Sequence, residues 1–289
     1  MVKNGFDLSD SLVPVASILS GGPPRDGIPA IDDPRFLPAA KATELDDGDR
    51  VLGISRNGVS KAYPIAILNW HEIVNDRFDT EGIVISFCPL CGSGVAFRAN
   101  VAGKNLHFGV SGLLYNSDVL LYDRETNSLW SQLLGKAISG PRRGTALEQI
   151  PMSHTTWGDW RRRHPSTRVL SRETGYRRDY DRDPYAGYVD SRGVYFPVAH
   201  KDPRYHPKER VIGIEIAGVA KAYPFSELAR SGGRIEDRIA TREIVIEYDD
   251  DLQAGSVRDR DGGEIVSTTA FWFAWYAFHP DTQVYRHRP

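Results

Sequence analysis

The sequence predicts an α+β protein dominated by antiparallel β-sheet, barrel-like in arrangement and built on a duplicated hairpin–helix–strand unit. Three observations point there: a long internal repeat, short alternating apolar runs separated by turn residues, and few stretches with helical periodicity. Val51-Leu52-Gly53-Ile54-Ser55-Arg56-Asn57-Gly58-Val59-Ser60-Lys61-Ala62-Tyr63-Pro64 recurs as Val211-Ile212-Gly213-Ile214-Glu215-Ile216-Ala217-Gly218-Val219-Ala220-Lys221-Ala222-Tyr223-Pro224, with nine of fourteen positions identical. The spacing of 160 residues is far too long for a solenoid and implies a duplication.

Each copy reads as strand, tight turn, strand, then a helix entered through proline. Asn57-Gly58 suits a two-residue hairpin turn, where both positions take positive φ. Pro64 and Pro224 mark helix starts, where a missing N–H costs little. The first helix is expected to carry Asn69-Trp70-His71-Glu72-Ile73-Val74-Asn75-Asp76. A further apolar strand follows in each copy, Ile83-Val84-Ile85 and Ile244-Val245-Ile246.

Between the copies, Val95–Arg98, Leu106–Val110, Val119–Tyr122 and Ser128–Gln132 are short strand candidates bounded by turn residues. Trp157–Arg163 is an expected helix, capped near Thr155 or Thr156 and closed by His164-Pro165. Tyr176–Pro184 reads as a polar loop. Phe271-Trp272-Phe273-Ala274-Trp275-Tyr276-Ala277-Phe278 reads as a buried aromatic strand. The implied organisation is an extended N-terminal arm over 1–48, a first repeat over 49–175 and a second, degenerate repeat over 176–289, the two repeats packed as one globular unit.

Composition excludes several classes. The 289 residues are 40% hydrophobic and 26% charged, ordinary for a soluble globular chain, and a net charge of −2 suggests no nucleic-acid partner. The longest apolar run is too short to span a bilayer. Met1–Ser20 lacks a basic start followed by a continuous apolar core, so the expected location is cytoplasmic as the sequence stands, or exported if a signal has been removed.

Chemistry concentrates in Cys88-Pro89-Leu90-Cys91-Gly92, which holds both cysteines of the chain. The matching place in the second copy is Tyr248-Asp249-Asp250-Asp251, without a thiol. Three readings remain open. A thioredoxin-type redox pair wants the first cysteine at a helix N-terminus, and Gly92-Ser93-Gly94-Val95 is a poor helix start. A metal knuckle uses proline to stiffen the turn and glycine to take positive φ, and needs donors beyond one thiol pair. The third reading is inert packing of two small apolar side chains. In the metal reading, Cys88 and Cys91 ligate as thiolates with His71 as third ligand, and a mixed thiolate–imidazole shell suits copper, zinc or iron.

His71 also borders the apolar stripe of its helix, where a histidine serves as a hydrogen-bonded core residue. Glu72 could orient the imidazole or act as a base, or it could simply face solvent. Asp123 and Gln132 are further candidates for catalysis, with Trp130 as a ligand-binding wall, because Trp130 and Gln132 share one strand face. Their plainer alternatives are a turn cap for Asp123 and a core position for Trp130. The expected partner is an unidentified small-molecule substrate or ligand.

The order Gly21-Gly22-Pro23-Pro24-Arg25-Asp26-Gly27-Ile28-Pro29, Ala62-Tyr63-Pro64, His71-Glu72-Ile73-Val74-Asn75-Asp76, Cys88-Pro89-Leu90-Cys91, Ser111-Gly112, Tyr122-Asp123-Arg124 and Trp130-Ser131-Gln132 resembles the prokaryotic family catalogued as domain of unknown function 3179. The resemblance runs from about Ile18 to the Phe271–Trp275 segment. It implies that the His-Glu pair and the thiol pair belong to the family pattern, and it brings no activity with it. The resemblance also implies that many relatives are exported, and a CxxC pair in an oxidising compartment would oxidise unless metallated or kept reduced. The function expected from the residues is therefore metal binding, with a redox metalloenzyme as its catalytic form. Thiol–disulfide exchange by Cys88 and Cys91, or a non-catalytic binding module, are the alternatives.

Overall fold

The computed structural model describes residues 1–288. These residues are mostly antiparallel β with four short α-helices. Its five larger sheets, of three to five strands, are arranged as a five-bladed β-propeller. The barrel-like expectation fits this only loosely, since the strands are divided among separate sheets rather than one closed surface. No helix among the described residues is long and apolar enough to cross a membrane.

The first hairpin pairs Arg50–Arg56 with Val59–Pro64, from Val51 opposite Pro64 to Arg56 opposite Val59. Arg210–Ile216 and Val219–Pro224 pair in the same register, from Val211 opposite Pro224 to Ile216 opposite Val219. Both turns take the positive φ that a right-twisted two-residue hairpin requires: Asn57 and Gly58 at 52° and 75°, Ala217 and Gly218 at 52° and 77°. Each hairpin gains one antiparallel strand, Ser153–Thr156 or Thr268–Phe271, and one parallel strand, Arg168–Leu170 or Gln283–Val284. Each also leads through proline into a short helix, Ile65–His71 or Phe225–Arg230, and then into an antiparallel pair.

The same side chains secure both hairpins. Lys61 Nζ donates to both Asp76 oxygens at 2.8 and 2.9 Å, and Tyr63 Oη donates to Asp76 Oδ2 at 2.6 Å. In the other half Lys221 Nζ lies 2.6 Å and Tyr223 Oη 2.8 Å from Asp237 Oδ2. Gly53 lies beneath the Trp160 ring and Gly213 beneath the Trp275 ring, so closely that no Cβ fits at either position. The Trp160 indole donates to Thr167 Oγ1 at 2.8 Å, and that of Trp275 to Thr282 Oγ1 at 3.0 Å.

Two helical boundaries differ from the sequence reading. The first helix stops at His71: Glu72 adopts a left-handed conformation (φ 58°) and Ile73–Phe78 is a strand. The β-branched pair Ile73-Val74 is better suited to a pleated, buried surface than to a helix. Trp272–Phe278, expected as a strand, is an α-helix that buries Trp272, Phe273, Ala274, Trp275 and Ala277. Trp157–Arg163 is helical as expected, with the Thr156 hydroxyl accepting from the Asp159 N–H, a cap that stabilises a helix by about 1 kcal/mol.

The remaining large sheet runs through Lys136–Ser139, Leu129–Ser131, Asp118–Asp123, Phe108–Tyr115 and Ile18–Ser20. The N-terminal arm thus contributes an edge strand. This sheet packs beside the thiol-bearing strands and shares one buried cluster with them, including Cys88, Cys91, Val95, Val119 and Trp130.

Candidate functional site

The two cysteines close the hairpin of Glu81–Cys88 with Ser93–Arg98, in which Cys88 is paired with Ser93. The Cys91 N–H reaches the Cys88 carbonyl at 3.2 Å, and Gly92 takes φ 57° to return the chain to the next strand. Both thiols are free and buried. A strand follows Cys91, so neither sulfur sits at a helix N-terminus that would favour a thiolate.

A second tight turn faces the first. Asn116 and Ser117, at φ 52° and 66°, connect Phe108–Tyr115 to Asp118–Asp123 and aim the Ser117 carbonyl at both sulfurs. Cys91 Sγ lies 3.4 Å from that oxygen and Cys88 Sγ 3.8 Å. The next residue brings a carboxylate: the sulfurs of Cys88 and Cys91 and an oxygen of Asp118 all lie within 4.8 Å of one another.

Neighbouring polar groups fix this carboxylate. Asp118 Oδ2 accepts the Leu133 N–H at 3.0 Å. The Gln132 amide matches its surroundings when its nitrogen donates to Ser93 Oγ at 2.6 Å and Asp118 Oδ1 at 3.0 Å. Its oxygen then accepts from Ser86 Oγ at 3.0 Å and the Cys88 N–H at 3.3 Å. One buried side chain therefore connects the carboxylate to the backbone of the first cysteine.

Burial dominates the electrostatics. It pushes the Asp118 carboxyl up to about 7 against the hydrogen bonds that favour its anion. It pushes Glu72 up to about 8, with the nearby charge of Asp118 adding to the rise. It also raises both thiols, Cys91 well above the ordinary range. None of the main influences on these four acids is a cation. Two further buried polar atoms, Ser117 Oγ and Tyr188 Oη, have no hydrogen-bond partner, and the thiols are the charges that act most on the Tyr188 phenol.

The residues expected from sequence are only partly gathered here. Gln132 is, and Glu72 is near enough to feel the charge of Asp118 and to act on Cys88. His71 Nδ1 pairs with the Pro29 carbonyl at 2.7 Å and Nε2 with Tyr180 Oη at 2.7 Å, so neither nitrogen is open to an ion. The turn at Glu72 ends the helix between these two neighbours. Asp123 accepts Thr126 N–H at 2.6 Å and the Trp130 indole N–H at 2.8 Å, which makes it a turn cap. Trp130 is fully buried, with its ring edge-on to Phe108. Sequence reasoning passed over Asp118 as a donor; its signal was a carboxylate at each end of the apolar run Val119-Leu120-Leu121-Tyr122.

Fold and site together define a mostly antiparallel β-protein with a buried dithiol–carboxylate centre. The chain belongs to the family described as "Protein of unknown function (DUF3179)", whose model matches residues 25–282. No curated protein and no solved structure matches it.

Proposed function

We propose that the protein binds a transition-metal ion through the Cys88 and Cys91 thiolates and the Asp118 carboxylate. Glu72 stands near as a fourth donor or as a base toward a bound molecule, and Gln132 positions Asp118. The observation that carries this reading is the convergence of two buried sulfurs and a buried Asp118 oxygen within 4.8 Å of one another. Buried acids in such a place stay protonated unless a positive charge joins them, and an ion that displaces the protons repays their desolvation. Sulfur and oxygen donors together suit zinc, iron or copper, and the last two would give the centre redox chemistry.

The test is elemental analysis of protein purified without chelator. About one ion per chain is expected in the parent protein, with most of it lost in Cys88→Ser and Asp118→Asn. Equal metal in all three proteins discards the proposal. Closeness of the two sulfurs also favours a second reading, reversible disulfide formation, although raised thiols make weak nucleophiles. Free-thiol titration separates the two: a disulfide enzyme loses both thiols on mild oxidation with or without chelator, whereas a metal centre protects them until the ion is removed.

We also infer that the halves descend from one duplicated unit. Matched hairpin registers, matched Lys–Asp–Tyr contacts and matched Gly–Trp packing support this. The metal donors belong to the first half alone.

A further inference from the structure

The long connection between the two hairpin units builds a cavity of its own. From Ser171 to Glu209 the chain forms no strand or helix. The later part of this coil encloses about 330 Å³, within the range of small-ligand pockets. Val194, Phe196, Val198 and Phe273 form its walls, and no residue of the thiol centre lines it. Val194, Phe196 and Val198 are half-buried: each packs against the core cluster that contains Phe273, and each keeps part of its apolar surface on the cavity. The coil is pinned in this shape. The Ala199 N–H donates to Asn116 Oδ1 at 2.9 Å, the Trp272 indole to the Asp202 carbonyl at 3.1 Å, and the Phe273 N–H to the Pro207 carbonyl at 3.0 Å. Pro197, Pro203 and Pro207 stiffen the backbone around it further. A cavity formed beforehand takes a ligand without the cost of ordering its own walls.

The charges around the cavity are unbalanced. Arg192 and Lys201 line it, both exposed, and neither side chain has an ion-pair or hydrogen-bond partner among the described residues. The one carboxylate in the lining, Asp202, is already taken: the Arg204 backbone N–H and Nε each donate to it at 2.8 Å. Lys208 is not free either, because its ammonium donates to the Ser191 and Gly193 carbonyls. Apolar walls with two uncommitted cations complement a ligand that has an apolar body and an anionic head. The walls contribute by removing hydrocarbon surface from water, and the cations select the head through charge-assisted hydrogen bonds.

We propose that this cavity binds a small amphipathic carboxylate, its hydrocarbon body against Val194, Phe196, Val198 and Phe273 and its carboxylate paired with Arg192 and Lys201. The site is separate from the thiol centre and does not rest on the metal reading.

The test uses the full chain with three probes at constant ionic strength: octanoate, octanol, which lacks the charge, and acetate, which lacks the body. Binding is followed by calorimetry. The expected result is saturable binding of octanoate, octanol weaker by about tenfold or more, and no saturable binding of acetate. The double variant Arg192→Gln, Lys201→Gln should weaken octanoate by about tenfold or more and leave octanol unchanged. It should melt as the parent does, because both side chains are exposed and unpaired. Either single substitution serves if the double variant does not fold. Absence of saturable octanoate binding to the parent protein overturns the proposal. So does octanol binding as tightly as octanoate, or equal octanoate affinity in the parent and whichever variant folds.

Discussion

The carbonyl of Cys91 accepts the backbone N–H of Phe271 at 2.8 Å. This bond fastens the thiol turn of the first half to the strand Thr268–Phe271 of the second, and the Phe271 ring then covers Gly92. A Cβ on Gly92 would lie 2.7 Å from that ring, at a residue with φ 57°. Gly92→Ala should therefore destabilise the protein by about 1–3 kcal/mol, from backbone strain and overpacking together. Urea unfolding measures the loss, and a parallel fall in bound metal would show that the turn shapes the centre.

Asp118 and Glu72 make stability depend on pH. Their folded-state values, about 7 and about 8, lie above the ordinary carboxylate range. The metal-free folded protein therefore keeps protons that the unfolded chain releases, and stability falls as pH rises between about 4 and 8. The expected slope is on the order of 1–2 kcal/mol per pH unit in the chelated protein. Asp118→Asn should remove about half of it, leaving the share of Glu72, and saturating metal should reverse it, because the bound thiolates carry no protons while the thiols of the unfolded chain keep theirs. A chelated parent protein whose unfolding midpoint is flat across this window contradicts the burial of these acids.

His71 and Asp118 should give opposite signatures. Replacing His71 with Ala leaves the Pro29 carbonyl without its side-chain partner and the Tyr180 hydroxyl with Thr174 alone, at a cost of about 1–3 kcal/mol, with metal content retained. Asp118→Asn should lose metal while the chelated protein keeps its stability at neutral pH. Metal loss in the histidine variant would restore the imidazole as a ligand.

Trp130→Phe removes the indole donor to Asp123 from a fully buried position. The expected cost is about 1–2 kcal/mol with no change in metal stoichiometry. A stable variant that nonetheless loses metal would move Trp130 from the scaffold to the centre.

Gly53→Ala and Gly213→Ala should be comparably harmful. In each, a methyl group collides with a packed indole, Trp160 or Trp275, and overpacking of this kind costs about 1–3 kcal/mol. Strongly unequal losses, measured by denaturant unfolding, would argue that the two halves do not share one packing scheme.

Much of the frame was legible because it is local. Asn57-Gly58, the proline helix entries and Lys-Ala-Tyr-Pro each carry their own conformational preference. The helix Trp272–Phe278 was hidden by its aromatic content, since periodicity cannot be read from a run that is apolar throughout. Its likeness to Trp157–Arg163 lies in the spacing: Trp157 and Trp160 before His164-Pro165, Trp272 and Trp275 before His279-Pro280. The thiol turn was legible from two cysteines and a glycine. Its carboxylate was not, because Asp118 comes from another hairpin and only the packing of two turns sets it beside the sulfurs. His71 looked equally eligible until the left-handed Glu72 separated the pair, a boundary that tertiary packing decides.

The Lys61–Asp76–Tyr63 contact carries one more lesson. In a protein with a single such trio, a lysine, phenol and carboxylate in mutual reach would invite assignment as proton-transfer machinery. Here Lys221, Asp237 and Tyr223 repeat it in a half that has no sulfur. The molecule supplies its own internal control: what both hairpins share is architecture, and what one of them alone has beside it is where a reaction should be sought.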